Sequence, residues 1–247
     1  MSSPDGVTFS SISVGKTHTC GIDREATAHC WGSNRHNQSK PPQNERFISV
    51  AVGDTHTCGL REDRSIVCWG QEFSGVVPDL PRHLKYKSVS AGGEHTCAVR
   101  DNGTGDCWGV LHAGIGEPDL SRQYVQMAVG GKHVCALLSE SSAETGNVVC
   151  WAANNWNQAR PSAGTQLVEI TAGSTFSCGL RPDQTAVCWG ENRTGGYRTA
   201  EGERLPDRVS ITAPEGMRFS MLDAGNFHAC GLREDGTMLC WGYMAEM

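Results

Sequence analysis

The sequence predicts an all-β protein assembled from six short units, and three observations predict it. The pattern GxxHxC, a short gap and then CWG recurs along the 247 residues. All twelve cysteines fall into six evenly placed pairs: Cys20 and Cys30, Cys58 and Cys68, Cys97 and Cys107, Cys135 and Cys150, Cys178 and Cys188, Cys230 and Cys240. A short apolar segment precedes every pair. Successive first cysteines are 38, 39, 38, 43 and 52 residues apart, a period that suits a propeller blade or a comparable stacked β unit.

Within a unit the two cysteines bracket a hairpin. If Cys58 faces Cys68, then Leu60 faces Ile66, Arg61 faces Ser65, and Glu62, Asp63 and Arg64 form the loop. Gly103 and Gly236 occupy the left-handed position that such a loop prefers. Ala26, Arg64 and Gln184 stand there in other units and fit it less well, so the turn is expected to vary. Alternation puts His56, Cys58 and Leu60 on one face, and Thr57 and Gly59 on the other with Val67 and Trp69. The tryptophan column then lies opposite the small side chains Thr19, Thr57, Thr96, Val134, Ser177 and Ala229, which leaves room for each indole and for a neighbouring sheet. A lone hairpin cannot bury that much apolar surface, so the units must lean on one another.

Directly opposed cysteines on adjacent strands come close enough to bond when the pair is of the non-hydrogen-bonded kind. Six bridges within units are therefore expected, each contributing about 2 to 3 kcal/mol in the chain-entropy picture.

Strands are expected at Phe9 to Val14, Phe47 to Val52, Tyr86 to Ala91, Tyr124 to Val129, Leu167 to Ala172 and Met217 to Ala224. Each ends at the glycine that opens the GxxH loop. The residues after Trp-Gly supply at most a weaker fourth strand. Two insertions, Ser139 to Asn147 and Arg193 to Glu215, account for the long spacings and read as loops. One domain over 1–247 is expected, with repeats at about 7–46, 47–85, 86–123, 124–166, 167–216 and 217–247. Because the chain stops just past Trp241-Gly242, the sixth unit is expected to recruit the amino-terminal strand to complete the ring.

The formal charge of −6 gives no reason to expect nucleic acid as a partner. No apolar run approaches the length of a membrane helix, so membrane insertion is not expected. The polar start, Met1-Ser2-Ser3-Pro4-Asp5-Gly6, is not a secretory signal, whereas paired cysteines at this density belong in an oxidising compartment. A secreted protein whose leader has been removed reconciles the two. The alternative is a reducing cytosol with twelve free thiols.

The consensus GxxHxCGLxxDGxxxCWGxN resembles the repeat of the regulator of chromosome condensation superfamily, in the cysteine-bearing form of secreted bacterial proteins and of the extracellular part of crinkly-type plant receptor kinases. GxxHxC begins at Gly15, Gly53, Gly92, Gly130 and Gly225, and CWG at Cys30, Cys68, Cys107, Cys188 and Cys240. Departures are Phe176 in place of His, Ala152 in place of Gly after Trp151, and a tail motif that survives best from Trp31 to Gln38. The resemblance implies a β-propeller, usually of seven blades. Six units are counted here and no stretch remains for another, so the expectation is a six-bladed β-propeller. Members of the superfamily act as nucleotide-exchange factors, enzyme inhibitors and receptor ectodomains, so fold alone does not decide activity.

The HxC pattern followed by a second cysteine offers zinc-type ligands. The cysteines are however accounted for as disulfides, and Phe176 keeps its cysteine pair without a histidine. The histidines are therefore expected to lie over glycine and bond to backbone, and neither a metal nor a cofactor is expected. No GxSxG elbow, phosphate-cradling glycine loop or HExxH is present, and Glu62, Asp63, Asp101, Glu234 and Asp235 fall at hairpin tips. No enzyme activity is expected.

A constant scaffold with differing connections is how propellers commonly build binding faces. The variable segments are Ser33 to Arg46, Gln71 to Lys85, Val110 to Gln123, Ala153 to Gln166 and Glu191 to Glu215. Trp156, flanked by Asn155 and Asn157, lies outside the CWG column and is the leading ligand-binding candidate. Folding back on the adjacent unit is an equally weighted reading. Phe73, Arg193 and Tyr197 follow. The function expected is recognition of a protein partner; a lectin with sites on several blades and an inhibitor of a secreted enzyme are the alternatives. Asn37, Asn102 and Asn192 begin glycosylation-type triplets.

Overall fold

A computed structural model describes residue 4 and residues 6–72, 75–110, 116–139, 146–193 and 208–243. Within them the chain forms six antiparallel sheets, one per unit, five of three strands and one of four, with a separate two-stranded ribbon and no helix. Inner strands run Phe9–Val14, Phe47–Val52, Tyr86–Gly92, Tyr124–Val129, Glu169–Ala172 and Met221–Ala224. Middle strands run His18–Asp23, His56–Arg61, His95–Arg100, His133–Leu138, Phe176–Leu180 and His228–Leu232. Outer strands run Ala28–Gly32, Ile66–Gly70, Gly105–Gly109, Gly146–Ala152, Ala186–Gly190 and Met238–Gly242. The inner strands of all six units line one axial cavity of about 300 Å³, the arrangement of a propeller.

The register follows the hairpin count: Cys58 pairs with Cys68, Leu60 with Ile66, and His56 with Gly70. All six disulfides close within units, with Cα separations of 4.0 to 4.1 Å, as expected of non-hydrogen-bonded pairs. No cysteine is free.

Three expectations change. The amino-terminal strand Phe9–Val14 pairs with His18–Asp23 in its own unit and so does not complete the sixth. A fourth strand appears only in unit four among the described residues, where Gln166–Leu167 pairs with Gly146–Asn147. The second insertion is not all loop, since Asn192–Arg193 pairs with Arg208–Val209.

The turns also vary less than expected. Ala26, Arg64 and Gln184 adopt φ of 64°, 66° and 69°, beside 86° and 81° at Gly103 and Gly236. At Ala26 the turn is held by Asp23, whose Oδ1 accepts from the Glu25 and Thr27 N–H groups; at the other four it is held by the residue just before the left-handed one. Asp63 Oδ1 accepts from both the backbone N–H and the hydroxyl of Ser65. Asn102 does the same with Thr104, Asp183 with Thr185 and Asp235 with Thr237, an Asx turn that tolerates a left-handed residue. The Ser65 hydroxyl, then its backbone N–H, hold the Asp63 carboxyl down at about 2.

Glycine after tryptophan has a different reason. Gly32, Gly70, Gly109, Gly190 and Gly242 all have φ between 95° and 119°, and a Cβ at Gly70 would meet the Thr55 carbonyl at 2.6 Å. Ala152 holds this position in unit four at φ 79°. Ala152→Gly is expected to raise stability by about 1 kcal/mol by relieving a left-handed alanine, read as a shifted denaturation midpoint. An unchanged or lower midpoint would refute this.

Units pack in one sense. The disulfide and leucine face of each lies on the aromatic face of the next: Cys20 and Ile22 on Phe47 and Trp69, Cys58 and Leu60 on Tyr86, Cys97 and Val99 on Tyr124, Cys135 and Leu137 on Leu167 and Trp189, Cys178 and Leu180 on Phe219 and Trp241.

The histidines lock these contacts. The His56 ring occupies the space a side chain at Gly53 would take, so the glycine under the ring is that of its own loop and not the cross-strand Gly70 over which the hairpin count placed it. The hydrogen-bond partner differs from the one expected, because it is a hydroxyl of the next unit. His18 Nε2 lies 2.7 Å from Thr57 Oγ1, His56 Nε2 2.7 Å from Thr96 Oγ1, and His133 Nε2 2.8 Å from Ser177 Oγ. Thr57 and Ser177 donate their own protons to the carbonyls of Gln38 and Gln158, so His18 and His133 must be the donors at Nε2. Phe176 faces a unit whose corresponding residue is Ala229, where a histidine would find no acceptor.

Candidate binding surface

The connections between units run along the outer rim. Each leaves its outer strand beside the GxxH loop, where Gln71 N–H donates to the Thr55 carbonyl, and enters the next inner strand beside the preceding hairpin tip, where Phe47 N–H donates to the Ala26 carbonyl. They therefore cross the rim from one face of the disc to the other, between constant ends.

Two connections begin with the same turn. In the first, Asn34 Oδ1 accepts from Ser39 N–H at 3.1 Å and Gln38 Oε1 from His36 N–H at 2.8 Å. In the fourth, Asn154 Oδ1 accepts from Ala159 N–H at 3.1 Å and Gln158 Oε1 from Trp156 N–H at 2.8 Å. Asn37 and Asn157 are both left-handed, at φ 62° and 58°. The turn delivers the carbonyls of Gln38 and Gln158 to the indole N–H of Trp69 and Trp189, each at 2.9 Å. The signal legible in the sequence is NxxNQ, present at Asn34 to Gln38 and Asn154 to Gln158. Where the motif is absent, before Trp108, Trp151 and Trp241, the indole N–H is buried with no acceptor among the described residues.

Trp156 therefore occupies the place that His36 takes in the sister turn. Its side chain is half-buried, Asn155 and Asn157 are exposed, and the three lie in one turn on the rim near the GxxH end. Asn157 also sets the turn's backbone. Arg193 lies in the next connection, on the strand Asn192–Arg193, and is not part of that turn. Phe73 and Tyr197 lie outside the described residues. Of the glycosylation-type triplets, Asn37 and Asn102 are exposed, and the Asn102 side chain already caps its hairpin.

The axial cavity carries chemistry that strand patterning did not single out. Glu169 accepts from Leu222 N–H of the next unit at 3.3 to 3.4 Å, and Gln126 bonds Ile170 in both directions, at 3.0 and 2.9 Å. Burial, with Asp223 nearby, pushes the Glu169 carboxyl up to about 7 despite the Leu222 N–H. Glu169 and Asp223 sit on inner strands, and each tethers its strand to a neighbour, Glu169 through the Leu222 N–H and Asp223 through the Thr171 side chain. Among the described residues, no group of three or more His, Cys, Asp or Glu side chains could hold a metal, and no helix is long and apolar enough to cross a membrane.

The model described as Regulator of chromosome condensation (RCC1) repeat matches residues 9–38, 47–75, 86–110 and 222–246. Units four and five, which carry the first insertion, Ala152 and Phe176, fall outside the match. The serine/threonine-protein kinase-like protein CCR2 of Arabidopsis thaliana is 28% identical over 130 residues, 47% of this chain and 15% of that protein. The chain thus spans well under a fifth of that relative's length. The CRINKLY WD40 ectodomain of the Arabidopsis thaliana receptor kinase ACR4 superposes with a TM-score of 0.74 at 26% identity, covering 97% of this chain and 81% of that one. The ectodomain of the Physcomitrella patens receptor kinase CR4 gives 0.78 at 22% identity, covering 97% and 62%, and speaks to the fold. The chain is an all-β propeller of disulfide-stapled units that is similar to regulator of chromosome condensation propellers, four of its six units matching that repeat.

Proposed function

We propose that the chain is an extracellular, non-catalytic domain that recognises a protein partner through the connections on its rim. The observation that carries this reading is the contrast between stapled sheets of constant register and connections that begin and end at fixed points yet differ in length and sequence. Similarity to the ACR4 ectodomain supports it, and six disulfides fit an oxidising exterior. A half-buried tryptophan on a turn fixed by its own backbone bonds suits an anchor, because little side-chain entropy is lost on contact.

The test is capture of partners from the native extracellular fluid, followed by affinity measurement with Trp156→Ala. The turn's bond at Trp156 is made by its backbone N–H, which the variant keeps. We expect its affinity to fall by about 2 kcal/mol, roughly 30-fold, as for a hot-spot aromatic. Unchanged affinity would remove Trp156 from the contact. Binding on a glycan array that maps to several equivalent units would replace the protein-recognition reading with a lectin.

A further inference from the structure

The inner strands meet along the axis, and two features of that meeting go beyond what holding the units together requires. The first is the shape of the space. At the GxxH end the glycine loops converge until backbone touches backbone: a Cβ at Gly15 would meet the Gly53 carbonyl at 2.6 Å, one at Gly92 the Gly130 carbonyl at 2.6 Å, and one at Gly130 the Gly173 carbonyl at 2.5 Å. The space there shrinks to about 30 Å³, room for about one water molecule. Between the inner strands it widens to about 300 Å³, the lower end of the range for small-ligand pockets. The cavity is therefore a cup with a narrowed floor, and a ligand enters it from the side away from the GxxH loops.

The second feature is a charge the scaffold does not need. At the seam between units four and five, Gln126 Oε1 accepts from Ile170 N–H at 2.9 Å and its Nε2 donates to the Ile170 carbonyl at 3.0 Å. Glu169 holds the equivalent place at the seam between five and six, each residue standing opposite a leucine of its middle strand. It makes the poorer tether, its two oxygens sharing the Leu222 N–H at 3.3 and 3.4 Å. Serine does similar work elsewhere, Ser13 for Val52 N–H and Ser90 for Val129 N–H. A neutral side chain would thus serve the fold at least as well. Asp223 lies at the same seam, bonded to the Thr171 side chain and to the Ala224 N–H. Both carboxyls border the cavity, whose lining among the described residues includes no Lys, Arg or His. Burial raises both, and no cation in the lining offsets it. With one N–H shared between two oxygens, the Glu169 carboxyl keeps acceptor positions open.

We propose that the axial cavity is a binding site for an alkylammonium group, a primary ammonium on a short carbon chain, seated at Glu169 and Asp223. The three N–H donors of an ammonium match a pair of carboxyls, and Val52, Val129 and Ala172 in the lining are apolar neighbours for the carbon chain. A bare metal ion fits poorly, because no group of three or more His, Cys, Asp or Glu side chains gathers among the described residues. A free amine and the lysine side chain of a partner share the required chemistry. The site is on the axis and the Trp156 turn on the rim, so each reading stands or falls without the other.

The test is isothermal titration calorimetry of the oxidised full chain with n-butylammonium chloride at pH 6 and pH 8, and with n-butanol as an uncharged probe of similar shape. We expect a dissociation constant of about 1 mM at pH 8, within reach of so small a ligand, and no measurable binding of n-butanol. Affinity should be about tenfold weaker at pH 6, because a carboxyl that titrates near 7 is mostly protonated there while the amine keeps its charge. Glu169→Gln keeps an acceptor for the Leu222 N–H. It should lower the affinity at pH 8 at least about tenfold and abolish the difference between the two pH values, whereas a purely structural role would leave both unchanged. Should that variant lose its cooperative melt, Asp223→Asn supplies the same readout of affinity. A capped peptide with a single lysine separates the sources: competition with n-butylammonium assigns the site to a partner's side chain, and binding of the free amine alone assigns it to a soluble amine. Three results would overturn the proposal: no binding of n-butylammonium at pH 8, equal binding of n-butanol, or an affinity indifferent to both substitutions.

Discussion

Reduction of the six disulfides should unfold the chain at neutral pH and room temperature. Five bridges span a separation of 10 residues and one spans 15, and loops of that size are worth about 2.5 to 3 kcal/mol each in the chain-entropy picture. Strain and residual structure make the simple sum an overestimate. Even half of it is comparable with the whole stability of an ordinary domain, about 5 to 15 kcal/mol. The bridges also lie inside the contacts between units, since Cys20, Cys58, Cys97, Cys135 and Cys178 are all fully buried. Opening one loosens two neighbours, because a three-stranded sheet this small depends on adjacent sheets. Circular dichroism and tryptophan emission with and without a strong reductant check this. A folded spectrum and a cooperative melt in the fully reduced chain would show the bridges to be incidental. A milder version, Cys97→Ala with Cys107→Ala, should cost about 3 to 5 kcal/mol and leave an oxidised chain that still folds.

Acid is expected to be the second effective denaturant, and the histidine locks are the cause. Burial depresses His18 to about 4 and His56 and His133 to about 3, with neighbouring histidines adding to the shift at the latter two. Each ring uses Nε2 in its lock; among the described residues the buried Nδ1 of His18 and His56 has no partner that would reward a second proton, and at His133 the Phe176 backbone offsets only part of the shift. A folded value below the unfolded one, about 6.5, means that the unfolded chain binds more protons between the two. The stabilisation is complete above pH 6.5 and is lost as pH falls toward 3 to 4. Glu169 acts with the opposite sign, since its folded value near 7 lies above the unfolded one. Its protonated form adds stability that is lost as pH rises through 7. Asp223 is raised as well, but its side chain is exposed along the axial cavity, where water screens the effect.

Three buried histidines outweigh one half-buried carboxyl. Stability should therefore be highest near pH 6 to 7 and fall by about 5 kcal/mol by pH 4, most steeply once the carboxyls are neutral in both states. His56→Gln should lower stability at pH 7 by about 1 to 3 kcal/mol through the lost bond to Thr96 and move the acid midpoint down, because one proton-binding site disappears from the unfolded chain. An acid midpoint indifferent to His56 and His133 would contradict this assignment. Glu169→Gln should flatten the decline between pH 6 and 8 and leave the acid limb in place.

Much of the scaffold was legible because the signals are local. Cysteines ten residues apart, alternation along six-residue strands and a turn between them specify the hairpin register, which the pairing of Cys58 with Cys68 and Leu60 with Ile66 bears out. What could not be read off was whatever depends on how one unit meets the next. His56 was assigned a backbone partner, because nothing within its own unit points to Thr96, 40 residues on. The role of Gln38 was hidden likewise: its side chain shapes a turn while its carbonyl serves Trp69, 31 residues away. Arg64 at a left-handed position looked like an irregular turn until the Asp63 cap came into view. The axial carboxyls were hidden for the same reason, since only the arrangement of the units brings Glu169 to the Leu222 N–H, 53 residues on. For the binding surface, the sequence located Trp156 as unusual, and the structure adds that it rides on a turn whose twin carries His36.

Peptide mapping of the unreduced chain tests the scaffold most directly, since every contact between units is built on the staples. The account predicts six linkages, 20–30, 58–68, 97–107, 135–150, 178–188 and 230–240, and no alkylatable thiol. Linkage between cysteines of different units, or a thiol that reacts before reduction, would contradict it.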